Sequence, residues 1–250
     1  MKVLILAGGR GKRLGEETSD KNKCMIEIAG KPLLAHSLDC ASKIKEISEI
    51  IIVVGYQSEQ IINTFGQNYK GKPIKYVFQK EQKGLVHAID CAKEALSKED
   101  FILMLGDELM INPKHAEMIE FFEKEGLFAL CGALKVEDKN FVKKTYALWQ
   151  GTDGRVLRLV EKPQNPINNI MGTGNCLFKN EILSYISKTP INQNRGEKEL
   201  PDLIQCAVDD GKIVRPFLIC DQYFNVNFKE EMKNAKSYFA HFSENDKNLL

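Results

Sequence analysis

The chain has 250 residues, 43% of them hydrophobic and 28% charged, with a formal net charge of +1. That length allows a substantial core in one large α/β domain or two small ones, and the near-neutral balance argues against a dedicated nucleic-acid binder, which would carry a basic excess. No stretch reaches the roughly 18 apolar residues of a membrane span, and seven dispersed cysteines without a C-x-x-C pair are expected to be reduced thiols of a cytoplasmic protein rather than disulfides or a zinc site.

The chain opens with a strand, Lys2 to Leu6, too short before Gly8-Gly9 for a signal peptide. It runs directly into Ala7-Gly8-Gly9-Arg10-Gly11-Lys12-Arg13-Leu14, with no acidic residue before Glu16. A strand, a glycine turn and clustered cations form a site for a polyphosphate, which takes bonds from exposed N–H groups and forked guanidinium donors. Two familiar phosphate loops do not fit. The P-loop requires Ser or Thr where Arg13 stands and glycine where Leu6 stands. The dinucleotide fingerprint requires a third glycine where Leu14 stands.

Leu34, Leu38, Ala41 and Ile44 then recur at helical spacing. Ile50 to Val54 is a continuous apolar run, as expected of a strand buried on both faces. A helix near Ser58 to Phe65, a strand near Ile74 to Phe78, a helix from Leu85 to Leu96 and a strand from Phe101 to Leu105 follow. This alternation implies a parallel sheet wound by helices on both faces. The middle differs: Phe128 to Val136, Thr145 to Gln150 and Arg155 to Val160 read as strands, with a turn at Asp153-Gly154, and suggest an antiparallel extension laid over the sheet. Helical patterns return near Glu181 to Ile186 and Leu200 to Asp209, then a strand near Ile213 to Ile219 and a last helix from Lys229 to Phe239. One domain over residues 1–240 is expected, with a polar tail over 241–250 that frays around Ser243 to Asn248.

Ligands of open α/β sheets bind beyond the carboxyl ends of the strands, and several candidate residues lie there. Asp107 follows the strand ending at Leu105, where a carboxylate either holds a divalent cation against phosphate oxygens or closes a turn. Gln79 ends another strand, and Gly84 opens the next helix. Asn227 is a ligand or an N-cap, since Glu230 three residues on would complete a capping box. Arg195, Glu197 and Asp202 either reach the acceptor or are solvated charge, and solvated charge is the expectation for each.

The opening L-A-G-G-x-G-x-R-L resembles that of the sugar-1-phosphate nucleotidyltransferases, the thymidylyl- and uridylyltransferase branches above all. Asp20-Lys21-Asn22-Lys23-Cys24-Met25, Glu161-Lys162-Pro163, Gly172-Thr173-Gly174-Asn175 and Tyr223-Phe224-Asn225-Val226-Asn227 resemble further segments of that family, over about residues 1–240. The resemblance implies a single-domain Rossmann-like, doubly wound mixed sheet with an antiparallel β extension. It implies transfer of a nucleotidyl group from an NTP, a pyrimidine favoured, to a sugar 1-phosphate, giving an NDP-sugar and pyrophosphate. Arg13, Lys23 and Lys162 are implied as catalytic; Leu6, Ala7, Gly8, Gly9, Gly11, Gln79 and Gly84 as nucleotide-binding. Glu161 and Gly174 would contact the acceptor, and Asp107 with Asn227 would hold Mg²⁺. The partners implied are the NTP and a phosphorylated small molecule, with no nucleic acid and no membrane. The oligomeric state is open, a homo-oligomer included. The Gly84-Leu85-x-x-Ala88 segment departs from the commoner Gly-Thr-Ala. Two alternatives stand beside this reading: a cytidylyltransferase acting on a non-sugar phosphate or phosphonate, since Lys23-Cys24-Met25 occurs in such relatives, and a non-catalytic nucleotide-sugar sensor, which would be expected to lose Arg13, Lys23 or Asp107.

Overall fold

The computed structural model describes residues 1–240, so the expected fraying at Ser243 to Asn248 lies outside the described residues. The first half runs β1 (Lys2–Ala7), β2 (Glu27–Ile28), β3 (Lys31–Pro32), α1 (Leu33–Lys43), β4 (Glu49–Val54), α2 (Ser58–Phe65), β5 (Asn68–Tyr69) and β6 (Lys72–Phe78). It continues with α3 (Leu85–Cys91), α4 (Lys93–Leu96), β7 (Phe101–Leu105), β8 (Glu108–Ile111) and α5 (His115–Lys124). The second half adds β9 (Ala129–Lys135), β10 (Tyr146–Gln150), β11 (Val156–Glu161), β12 (Ile170–Phe178), α6 (Leu200–Asp209), β13 (Val214–Leu218), β14 (Gln222–Asn225) and α7 (Lys229–Ala240).

The expected Leu85-to-Leu96 helix is broken at Ala92 into α3 and α4, and α5 together with the antiparallel pair β8–β14 had no counterpart in the sequence reading. Met118, Ile119 and Phe122, all buried in α5, carry a helical spacing that would have found it.

Ten strands form one sheet in the order β11-β10-β12-β7-β1-β4-β6-β5, with β9 on β12 and β13 on β9. The parallel strands β7, β1, β4 and β6 are in near-level register: Leu6 faces both Leu105 and Val53, and Val54 pairs with Phe78. Their carboxyl ends therefore finish side by side, bringing Gly8, Gly55, Gln79 and Asp107 to one edge. The antiparallel part continues the sheet instead of lying over it. The amino half of β12 pairs with β10 and β9, its carboxyl half with β7 and β9, and the register breaks between Gly172 and Cys176. That break is where the sheet forks, and it delivers Gly174 to the same edge.

Alternate residues of the central strands feed opposite cores. Val3, Ile5, Ile50, Ile52, Ile102 and Met104 pack on one side with α1 and α5; Leu4, Ile51, Val53, Phe101 and Leu103 pack on the other with α3 and α6. Each such side chain, fully withdrawn from water, contributes about 1.5–3 kcal/mol before chain entropy is counted. A third cluster of Leu14, Ile28, Leu33, Leu109, Val226, Met232 and Phe239 fastens α7 to the loop after β1. Among the described residues no helix is long and apolar enough to cross a membrane.

His36 in α1 is buried near Phe239, with Nε2 3.0 Å from the Ile28 carbonyl and Nδ1 lacking any partner. The carbonyl can only accept, so Nε2 carries the hydrogen, and a second proton at Nδ1 would be an unpaired buried charge. Burial accordingly lowers this histidine to about 4. The unfolded chain takes up its proton near pH 6.5, so between those values it binds more protons than the native state and stability falls as pH falls. The stability lost between pH 7 and pH 5 should shrink by roughly 2 kcal/mol in His36→Gln, which keeps a donor for Ile28 but cannot titrate. Urea melts of both proteins at the two pH values measure it; parallel losses would contradict this account.

Candidate active site

The turn after β1 is shaped by close packing. Gly11 has φ +69°, and a Cβ there would lie 2.9 Å from Lys23 Cβ. The Gly11 carbonyl accepts from Leu14 N at 2.9 Å and from Thr18 Oγ1 at 2.9 Å, and Lys12–Thr18 forms two short 3-10 pieces kinked at Gly15 (φ +62°). Gly8 lies against the Gln79 amide, whereas Gly9 has open space where a side chain would stand. Leu6 lines the cavity, but Ala7 is buried and acts through its carbonyl, which accepts from Asn22 Nδ2 at 3.1 Å. Asn22, fully buried, also donates to Tyr56 O at 2.6 Å and accepts from Cys24 N at 2.8 Å. It fastens the Lys23 segment to the end of β1, a role the motif reading did not single out.

Arg10, Lys12 and Arg13 form no ion pair among the described residues. Arg10 stacks over Tyr56 at 5.1 Å and Arg13 over Phe228 at 5.4 Å. Guanidinium groups held by aromatic faces keep their N–H forks available for phosphate.

Opposite the loop, Lys23 is buried and its ammonium donates both to Asp107 Oδ2 and, at 2.7 Å, to Asn227 Oδ1. The orientation of the Asn227 amide follows from its neighbour: Nδ2 donates to Asn225 Oδ1 at 2.5 Å, which turns Oδ1 toward the ammonium. Asn227 therefore does not cap α7 with its side chain. The cap comes from Glu231, whose Oε2 accepts from the backbone N–H of Asn227 at 2.9 Å and of Phe228 at 3.2 Å. This is the back-reaching half of a capping box, one residue later than the expected Asn227–Glu230 pair.

Next to Asp107, Glu108 points inward. Its carboxylate accepts from Gly174 N at 3.1 Å, from Asn175 Nδ2 at 2.6 Å and from the Tyr223 hydroxyl. Burial, with Asp107 beside it, pushes Glu108 up to about 8. Asn175 Oδ1 in turn accepts from His115 Nε2 at 2.8 Å, and burial lowers His115 to about 4. Two adjacent carboxyls thus have opposite environments: Asp107 opens to the cleft, and Glu108 fastens the sheet fork. The Gly174 N–H is taken by Glu108, and a side chain at 174 would run into Leu105, so this stretch of backbone has no free N–H to offer.

Gln79 is buried at the far end. Its Nε2 donates to Gly84 O at 3.0 Å and to His87 Nδ1 at 3.1 Å. Because the Gly84 carbonyl only accepts, the amide orientation is fixed and Oε1 is left as the group Gln79 can offer. His87 supports that amide and is not placed against the phosphate loop.

Two cavities meet at this edge. One, about 450 Å³, is lined by the loop, Lys23, Gln79, Gly84 and Asp107. The other, about 700 Å³, is lined by Tyr146, Glu161, Lys162, Gly174, Arg195 and Glu199. Arg13, Leu85, Leu105, Asp107, Glu197 and Asn227 belong to both. In the second, Glu161 Oε1 accepts from Lys162 Nζ at 3.1 Å and from Arg195 at 3.0 Å. Lys162 has φ +42°, and its N–H bonds Thr145 O at 2.7 Å. Arg195 and Glu197, expected as solvated charge, face the cleft, whereas Asp202 lines neither cavity.

The family model described as nucleotidyl transferase matches residues 2–235. The UTP–glucose-1-phosphate uridylyltransferase AglF of Haloferax volcanii is 30% identical over 240 residues, covering 94% of this chain and 95% of its own. The glucose-1-phosphate thymidylyltransferase of Streptomyces griseus is 31% identical over 88% of this chain and 60% of its own. The bifunctional protein GlmU of Methanococcus maripaludis is 31% identical over 85% of this chain but 48% of its own, so the chain spans about half of that relative. Among solved structures, a UDP-glucose pyrophosphorylase complexed with UDP-glucose aligns with a TM-score of 0.84 at 22% identity, over 96% of this chain and 98% of that one. The UDP-glucose pyrophosphorylase of Acinetobacter baumanii aligns with a TM-score of 0.80 at 19% identity, over 96% and 93%. At these identities the solved structures speak to the fold.

The capping geometry is directly testable. Glu231→Ala should cost about 1 kcal/mol of stability, the usual worth of a helix cap. Thermal melts of wild type and Glu231→Ala measure it; an unchanged melting temperature would contradict a cap supplied by Glu231.

Proposed function

We propose that this chain, which belongs to the nucleotidyl transferase family, transfers a nucleotidyl group from a pyrimidine triphosphate to a sugar 1-phosphate, releasing pyrophosphate. The observation that carries the reading is the junction of the two cavities. There an unpaired guanidinium, Arg13, faces a pair of oxygen ligands, Asp107 and Asn227, already gathered around a cation. One cavity suits a nucleotide and the other a phosphorylated acceptor, and they share the point at which the two phosphates would meet.

The donor set fits Mg²⁺. Asp107 Oδ2 and Asn227 Oδ1 are hard oxygen donors facing a positive charge, and Mg²⁺ commonly takes one or two protein ligands, completing its shell with phosphates and water. Among the described residues no group of three or more His, Cys, Asp or Glu side chains is arranged to hold a metal. When bound, Mg²⁺ neutralises charge on the nucleotide's oxygens.

The rest is positioning. Arg13 binds the departing pyrophosphate with its fork, and Lys23 exchanges its carboxylate partner for the α-phosphate. Lys162 and Arg195, both anchored on Glu161, hold the acceptor phosphate. An oxygen of that phosphate forms the bond to the α-phosphorus while the bond to pyrophosphate breaks. The attacking oxygen is already anionic, so no general base is needed, and charge stabilisation supplies the rate. Base choice follows from Gln79: with both amide hydrogens committed, its Oε1 accepts from the N3–H of uracil or thymine. Cytosine offers an acceptor there instead, a mismatch that disfavours the cytidylyl alternative.

The sugar acceptor draws support from the Haloferax volcanii relative, whose name states UTP and glucose 1-phosphate. A competition assay tests the whole reading: equal UTP, dTTP, CTP, ATP and GTP, Mg²⁺, a panel of phosphorylated sugars, choline and polyols, and product identification by mass. UDP- or dTDP-sugar should dominate by at least tenfold, on the order of one well-placed hydrogen bond. A CDP, ADP or GDP product would contradict the Gln79 assignment; a non-sugar product would contradict the acceptor.

A further inference from the structure

Two acidic side chains line both cavities, and they differ in their surroundings. Asp107 is bound by Lys23, but the carboxylate of Glu197 makes no hydrogen bond or ion pair among the described residues. Its place is nonetheless well defined. Gly84 has φ +92°, and a Cβ there would stand 2.6 Å from Glu197 Oε2 and 2.9 Å from Glu197 Cβ. The bare backbone at 84 is thus the space Glu197 occupies, immediately beside the carbonyl that orients Gln79. The loop that carries Glu197 is tied by an antiparallel bridge, with Asn192 N donating to Glu197 O at 2.8 Å.

A free carboxylate is out of keeping with a cleft whose loop presents Arg10, Lys12, Arg13 and Lys23. It would repel a triphosphate laid against it, and it is tolerated only where the ligand presents hydrogen-bond donors. A nucleotide whose base lies at Gln79 and Gly84 and whose phosphates reach Arg13 and Lys23 has its ribose between them. The ribose offers a 2′-hydroxyl donor, which a carboxylate oxygen accepts, the contact that dinucleotide folds use to hold ribose.

We infer that Glu197 accepts a hydrogen bond from the ribose 2′-hydroxyl of the incoming nucleotide, making the enzyme select UTP over dUTP and dTTP. The inference rests on the nucleotidyl-transfer reading and narrows its substrate. Glu197 is a specificity-determining residue here; the phosphate chemistry does not pass through it.

UTP against dUTP isolates the 2′-hydroxyl, because the pair differs in nothing else. Wild type should favour UTP by about tenfold or more in kcat/KM at saturating acceptor, the order of one hydrogen bond to a charged group. In Glu197→Ala the preference should collapse to within about threefold, through loss on UTP while dUTP turnover holds, which also shows that the variant is folded. Glu197→Gln, still an acceptor, should keep part of the preference. Equilibrium binding of both nucleotides with Mg²⁺, by calorimetry, reads the same ratio whether or not product forms, so failure of the reaction class and failure of this assignment give different results. An unchanged UTP-to-dUTP ratio in Glu197→Ala overturns the inference. So does an equal loss on both nucleotides with a raised acceptor KM, which would mean that Glu197 reads the acceptor sugar.

Discussion

A single buried ammonium joins three parts of the chain that are far apart in sequence. Lys23 reaches Asp107, 84 residues away, and Asn227, 204 residues away. One partner follows a central strand, the other precedes the last helix, and Lys23 itself hangs from the phosphate loop through Asn22. Burying an ammonium without partners would cost several kcal/mol, and satisfying it with one carboxylate and one amide oxygen removes most of that penalty. The arrangement also gathers two oxygen ligands around a positive charge before any substrate arrives. The loop, the sheet edge and α7, which the third apolar cluster already fastens, are thereby tied together at one compensated charge.

The sheet is built so that this compensation happens in one place. Level register across β7, β1, β4 and β6 aligns four strand ends, and the fork in β12 adds Gly174, held by Glu108 of β8, behind them. The neighbouring carboxyls divide the work. Asp107 stays at the cleft, and Glu108 is held by the Gly174 N–H, Asn175 and Tyr223, while burial and the neighbouring Asp107 favour its neutral form. A binding surface for two polyanions consequently rests on a fork that is satisfied internally, and its free donors, Arg10, Lys12 and Arg13, remain for ligand.

Much of this was legible in the sequence. The continuous apolar runs Lys2 to Leu6, Ile50 to Val54 and Phe101 to Leu105 identify buried parallel strands, because both faces of each must be apolar. The glycine turn with its three cations and the residues ending the strands mark the cleft. What escaped depends on long-range partners. Strands β8 and β14 have four residues each and pair only with one another, so neither has enough pattern alone. Arg195 and Glu197 look like solvated charge until the fold carries their loop over the cleft. The Asn227 motif fits a cap or a ligand equally well in sequence; the fold shows that its side chain is not the cap, because Asn225 turns the amide and Glu231 takes the backbone N–H groups.

The central claim is that Asp107 and Asn227 form a seat for a cation which Lys23 fills in the absence of substrate. The most direct measurement is a crystal structure of the protein with UTP and Mg²⁺, or Mn²⁺ for its anomalous signal. The account predicts a metal ligated by Asp107 and Asn227 together with nucleotide oxygens, and Lys23 moved from that pair onto a phosphate. A metal bound elsewhere, or Lys23 still bridging Asp107 and Asn227 beside a bound nucleotide, would contradict it.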